Sequence, residues 1–120
     1  MLGTLAVAAG GAAGSLLRYW ATLLAARWWG DGFPWSTIAI NVAGSFVIGW
    51  FATLSTSNET RLLVMTGLCG GFTTFSAFSL QTLDLLRAGD AMAAAANIVL
   101  SVVLCLAAVA AGHYLAVHTS

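Results

Sequence analysis

The chain has no lysine, and its four arginines are matched by four acidic residues, so its formal net charge is zero. There is no basic patch for nucleic acid and no acidic tail. Charged residues make up only 7% of the sequence, too few to coat a soluble surface. Cysteine is nearly absent. Cys69 and Cys105 both fall in apolar stretches, where a small buried side chain is a better reading than a disulfide. His113 and His118 lie five apart near the C-terminal end and suit a membrane boundary better than a metal. No Cys/His metal spacing, phosphate-binding loop or nucleophile-and-base pair occurs, so an enzyme is not expected. The single proline, Pro34, suits the first turn of a helix, where its missing N–H costs nothing.

What remains is apolar. Hydrophobic residues make up 60% of the chain, and the mean hydropathy is +0.93. A 120-residue soluble domain has ample outside to cover with polar groups. The class is an integral membrane protein. Four spans are predicted: Leu2–Ala26, Pro34–Leu54, Arg61–Leu86 and Ala91–Val117. Each is long enough for the roughly 20 residues that cross about 30 Å of hydrocarbon. The first is read as a span rather than a signal peptide, because its first charge, Arg18, follows the apolar run. The connectors Arg27–Phe33, Ser55–Thr60 and Arg87–Asp90 leave no room for a soluble lobe. One four-helix transmembrane domain over residues 1–120 is expected. Trp28, Trp29 and Trp35 flank the first connector as an aromatic belt would.

Polar residues inside the spans are few and patterned. Thr37, Asn41 and Ser45 recur every fourth residue on the second span, and Asn97, Ser101 and Cys105 do so on the fourth. Each set shares one helix face. They are either interhelical hydrogen-bond glue or the lining of a polar interior. Gly10 and Gly14, and the small residues Ala43, Gly44, Ser45 and Gly49, predict close helix packing. Arg18 sits deep in the first span, either as a boundary anchor or as positive potential at the mouth of an anion path.

The least lipid-like stretch is residues 70–79, with two glycines, four hydroxyls and three phenylalanines. Gly70 and Gly71 are expected to let the backbone leave the helix, tolerable at membrane depth only in a protein or watery setting. Freed carbonyls there suit a small hard cation such as sodium. Phe75 and Phe78, one turn apart, offer ring edges of positive potential to an anion, beside the hydroxyls of Thr73, Thr74, Ser76 and Ser79.

No span holds a glutamate or lysine, and Asp84 lies near the end of the third. A proton-coupled transporter normally carries an ionisable residue near the middle of its path. The arginines barely favour one orientation: Arg61 on one side opposes Arg27 and Arg87 on the other. Such a chain can insert both ways and pair as an antiparallel homodimer.

The run Gly67-Leu68-Cys69-Gly70-Gly71-Phe72-Thr73-Thr74-Phe75-Ser76-Ala77-Phe78-Ser79 closely resembles the signature of the small bacterial fluoride channels, the Fluc or CrcB family. Asn41-Val42-Ala43-Gly44-Ser45-Phe46 resembles its second-helix motif, and Gly10-Gly11-Ala12-Ala13-Gly14 with Arg18-Tyr19 its first. The resemblance covers nearly the whole chain. It implies an all-α, dual-topology antiparallel homodimer in a prokaryotic cytoplasmic (inner) membrane, with the third helix broken near its middle. It also implies two pores exporting fluoride passively and a central structural sodium. The sodium ligands would be the backbone carbonyls of Gly70 and Thr73. The fluoride path would involve Asn41, Phe75, Phe78, Ser101, Thr74 and Ser76. Arg18 and Gln81 would be pore-mouth or structural residues; the family often has glutamate where this chain has Gln81. The rival readings are a small dual-topology multidrug antiporter, which would need a glutamate in the first span, and a non-transporting membrane assembly subunit.

Overall fold

The computed structural model describes residues 1–30 and 32–119. Asp31, in the first connector, lies outside them. Described residues form helices α1 (Leu2–Trp29), α2 (Trp35–Ala52) and α3 (Asn58–Arg61). A π-helical stretch, Leu62–Cys69, runs on into α4 (Gly70–Phe72). Helices α5 (Phe75–Arg87) and α6 (Ala91–Thr119) complete the chain. Three segments are long and apolar enough to cross a membrane: Trp35–Ala52, Asn58–Arg87 and Ala91–Thr119. The first helix has the length but not the apolarity, because Arg18 and the glycines of its first half dilute its leucines. Its outward residues are still apolar: Leu5, Leu16, Trp20 and Leu23 are among the exposed large side chains.

Burial is inverted relative to a water-soluble protein. Large apolar side chains point outward along α1 and α6, as at Leu106, Val103 and Leu115. Among the described residues the buried side chains are few, mostly small and partly polar: Ala25, Cys69, Ala94, Ala108 and Ala116, with Ile38 and Ile40, and the polar Thr37, Asn97 and Ser101. That is the pattern expected when the surroundings are hydrocarbon and backbones must approach closely.

The glycines set those approaches. Alpha-helix α2 packs along α6, and α1 packs along the π-helical stretch. A methyl group at Gly49 would strike the Val109 carbonyl, and one at Gly112 the Phe46 carbonyl. Gly10 and Gly14 meet the Leu63 and Leu68 carbonyls in the same way, so the predicted packing role of this motif holds.

The glycine pair of the third segment corrects an expectation. Gly70 is helical, with φ −63° and ψ −38°, and Gly71 lies within α4. The extended residues follow Phe72, which is itself helical: Thr73 at φ −116°, ψ 126° and Thr74 at φ −133°, ψ 112°. Gly71 serves contact instead, since a methyl group there would lie 2.6 Å from the Gly11 carbonyl oxygen.

The connectors are as short as the sequence implies. Among the described residues Gly30 and Gly89 are the ones with positive φ, at 69° and 84°, and each follows a helix end. A left-handed glycine there ends a helix without a Cβ clash. Asp90 starts α6 by accepting the Ala93 N–H at 3.0 Å, a normal N-cap arrangement.

Candidate functional site

Thr74, the second of the two extended threonines, is held from outside its own segment. The Thr74 N–H donates to Asn41 Oδ1 at 2.7 Å, and Asn41 Nδ2 donates to the Thr74 carbonyl at 3.2 Å. One carboxamide thus satisfies both backbone groups of a half-buried residue that has left the helix. Thr73 Oγ1 donates back to the Cys69 carbonyl at 2.9 Å. Its methyl group occupies the space that a side chain at Gly44 would need. Thr74 Oγ1 then caps α5, accepting the Ala77 N–H at 3.1 Å.

These substitutions release carbonyls. In an unbroken helix Thr74 N–H would bond the Gly70 carbonyl, and Ala77 N–H the Thr73 carbonyl. Both donors are spent on side chains instead. A third released carbonyl, that of Gly71, accepts Arg18 Nε at 3.0 Å. The guanidinium therefore caps the end of α4 from α1. The carbonyls of Gly70 and Thr73 are hard, uncharged oxygen donors, the type a sodium ion takes, so the donor set fits the cation expected there.

A cleft of about 480 Å³ lies beside this turn. Its walls are Asn41 and Ser45 from α2, Thr73, Thr74, Phe75 and Phe78 from the third segment, and Ser101 and Cys105 from α6. Five of the six residues expected along the fluoride path therefore meet here. Ser76 does not line the cleft; its hydroxyl pairs with Thr74 Oγ1 at 3.1 Å. The Phe75 and Phe78 ring centroids are 5.2 Å apart with planes tilted by 46°. Phe75 is 78% exposed, an open flank of the cleft.

Behind Ser101 runs a hydrogen-bonded chain. Ser101 Oγ donates to Asn97 Oδ1 at 3.3 Å, Asn97 Nδ2 donates to Thr82 Oγ1 at 2.9 Å, and Thr82 Oγ1 donates to the Phe78 carbonyl at 2.8 Å. Thr82 gives no sequence signal of its own, beyond lying one turn after Phe78. Gln81 faces elsewhere. It lines a second cleft of about 400 Å³ with Thr22, Ser36 and Asp84. Its Oε1 is buried without a hydrogen-bond partner among the described residues.

Residues 5–113 match the family described as CrcB-like protein, Camphor Resistance (CrcB). Three bacterial proteins of strong similarity each bear the name fluoride-specific ion channel FluC. The one from Rhodospirillum rubrum is 54% identical over 114 residues, covering 89% of this chain and 88% of its own. The one from Opitutus terrae is 55% identical over 119 residues, covering 92% and 89%. The one from Rhizobium etli is 53% identical over 117 residues, covering 93% and 94%.

Proposed function

Because this chain belongs to the CrcB family, we propose that it is a fluoride-specific ion channel, a multi-pass protein of a prokaryotic membrane that lets fluoride leave the cell down its gradient. The observation that carries this reading is the convergence of Asn41, Phe75, Phe78 and Ser101 on one cleft. Fluoride accepts hydrogen bonds and donates none. A path for it must replace its water with amide N–H, hydroxyl and polarised ring-edge hydrogens. The cleft gathers groups of all three kinds from three elements: Asn41 from α2, Phe75 and Phe78 from α5, and Ser101 from α6.

In this reading Thr73 and Thr74 interrupt the third span at membrane depth, and sodium binds at the freed carbonyls of Gly70 and Thr73. Two copies related by an antiparallel axis would bring two such sets together, so the cation would be central and structural. The near balance of arginines supports insertion in both orientations. Arg18, spent on the Gly71 carbonyl, is first a cap of the interrupted helix. Gln81 would stand at a pathway entrance as a neutral residue, beside Asp84.

An antiporter of the small multidrug type would need a carboxylate in the first helix, and α1 holds none. The test is flux. Purified protein in liposomes should release fluoride to an electrode and retain chloride. Absence of fluoride release, or release unaltered in Phe75→Ile and Asn41→Asp, would remove the proposed path.

A further inference from the structure

We infer that Asn97 is a positioning residue that keeps the Ser101 proton turned away from the anion path, so that fluoride is held weakly at that step. The inference rests on the fluoride-channel reading and concerns how one donor is controlled.

The argument is one of hydrogen-bond direction. A backbone carbonyl only accepts, so Thr82 must donate its single proton to the Phe78 carbonyl, 2.8 Å away. Thr82 Oγ1 is then left as an acceptor. The Asn97 carboxamide must therefore present its NH₂ to Thr82, at 2.9 Å. That fixes the amide, whose two ends would otherwise be interchangeable. Its Oδ1 faces Ser101, at 3.3 Å. An oxygen there can only accept, so Ser101 must donate. The polarity of the whole chain is set by the Phe78 carbonyl.

The consequence falls on the cleft. Ser101 is 8% exposed and lines it, whereas Asn97 is 1% exposed and does not. With its proton committed to Asn97, Ser101 presents lone pairs to an anion. To donate to fluoride it must first break the bond to Oδ1. Conduction demands that an ion be bound well enough to enter and loosely enough to leave. A donor that must be borrowed from Asn97 meets that demand. The same chain ties α5, which carries Phe75 and Phe78, to α6.

The test separates control of the proton from plain packing. Fluoride is titrated into purified protein and followed by ¹⁹F NMR, which needs no flux. Asn97→Leu and, as a second variant, Asn97→Ala are each made with Ser101 present and with Ser101→Ala. With Ser101 present, removing Oδ1 frees its proton; the remaining competitor is a backbone carbonyl one turn back that already serves the helix. Half-saturating fluoride should fall by about tenfold, one hydrogen bond's worth. With Ser101→Ala, the same Asn97 substitutions should shift it by less than about twofold. An equal shift in both backgrounds, no shift, or weaker binding with Ser101 present overturns the inference. If wild-type protein releases no fluoride from liposomes, the channel reading itself fails. If it does so without the Ser101-dependent shift, only the role of Asn97 fails.

Discussion

Asn41 and Thr74, 33 positions apart, are joined by two hydrogen bonds through which one side-chain amide replaces the helix as partner of one peptide. The link makes Asn41 both a wall of the cleft and the brace of the turn behind it. One Nδ2 hydrogen is spent on the Thr74 carbonyl, and in the proposed function the other would serve the anion.

Asn41→Asp should therefore do double damage. A carboxylate still accepts from Thr74 N–H but cannot donate to its carbonyl, and it places negative charge on an anion path. Fluoride release should fall to background in the liposome assay. Asn41→Leu, which leaves both Thr74 groups unpaired, should cost about 1–3 kcal/mol of stability, measured by denaturation in detergent. Flux at wild-type rate in Asn41→Asp would contradict the assignment.

Phe75 and Phe78 should not be equivalent. Phe75 is 78% exposed in the single chain, so Phe75→Ile should leave folding intact while lowering flux by tenfold or more, about 1.4 kcal/mol of lost ring-edge contact. The measurement is initial efflux rate against protein per liposome. Equal rates for Phe75→Ile and wild type would show that the ring edge does no work.

The glycine contact between α1 and α4 predicts an assembly defect. A side chain at Gly71 would meet the Gly11 carbonyl oxygen at 2.6 Å, and backbone gives way poorly. Gly71→Val should yield aggregated protein by gel filtration in detergent. At Gly11 a Cβ meets nothing within 4 Å, so Gly11→Ala should elute as wild type.

Arg18 offers a separable readout. Arg18→Gln keeps a hydrogen-bond donor but removes the charge, and Arg18→Leu removes both. If capping the Gly71 carbonyl is what matters, Arg18→Gln should retain most of the flux and Arg18→Leu should lose it. Equal loss in both would assign the role to charge.

If sodium occupies the Gly70 and Thr73 carbonyls, replacing it throughout purification with a bulky organic cation should lower the thermal midpoint of wild-type protein, and adding sodium back should restore it. An unchanged midpoint at all sodium concentrations would remove the cation from this turn.

Much of the site was legible along the chain. Asn41 with Ser45 and Ser101 with Cys105 were placed on shared faces by four-residue spacing, and the cleft brings those faces together. The interruption lies three residues beyond the glycine pair where it was expected. Glycine has the weakest hold on helical geometry, so Gly70 and Gly71 looked like the point of departure. In the fold they stay helical, because Gly71 is needed for contact with Gly11. Two β-branched threonines leave the helix instead: an outside carboxamide replaces the hydrogen bonds Thr74 gives up, and the Thr73 hydroxyl turns back to the Cys69 carbonyl. Ser76 matched a motif position, yet its side chain does not line the main cleft. A motif carries residue order but not the direction of a side chain.

By itself the sequence determined that this chain belongs in a membrane, how its apolar segments are divided, and which residues share helix faces. Those follow from hydropathy and helical period, which are local properties. Only the tertiary structure decided which polar group satisfies which. Arg18 reaches Gly71 over 53 positions, and Asn97 reaches Thr82 across two helices. Each such partner is chosen because a buried donor or acceptor must be paired, and that choice depends on what packing brings within 3 Å or so, not on what stands nearby in the chain.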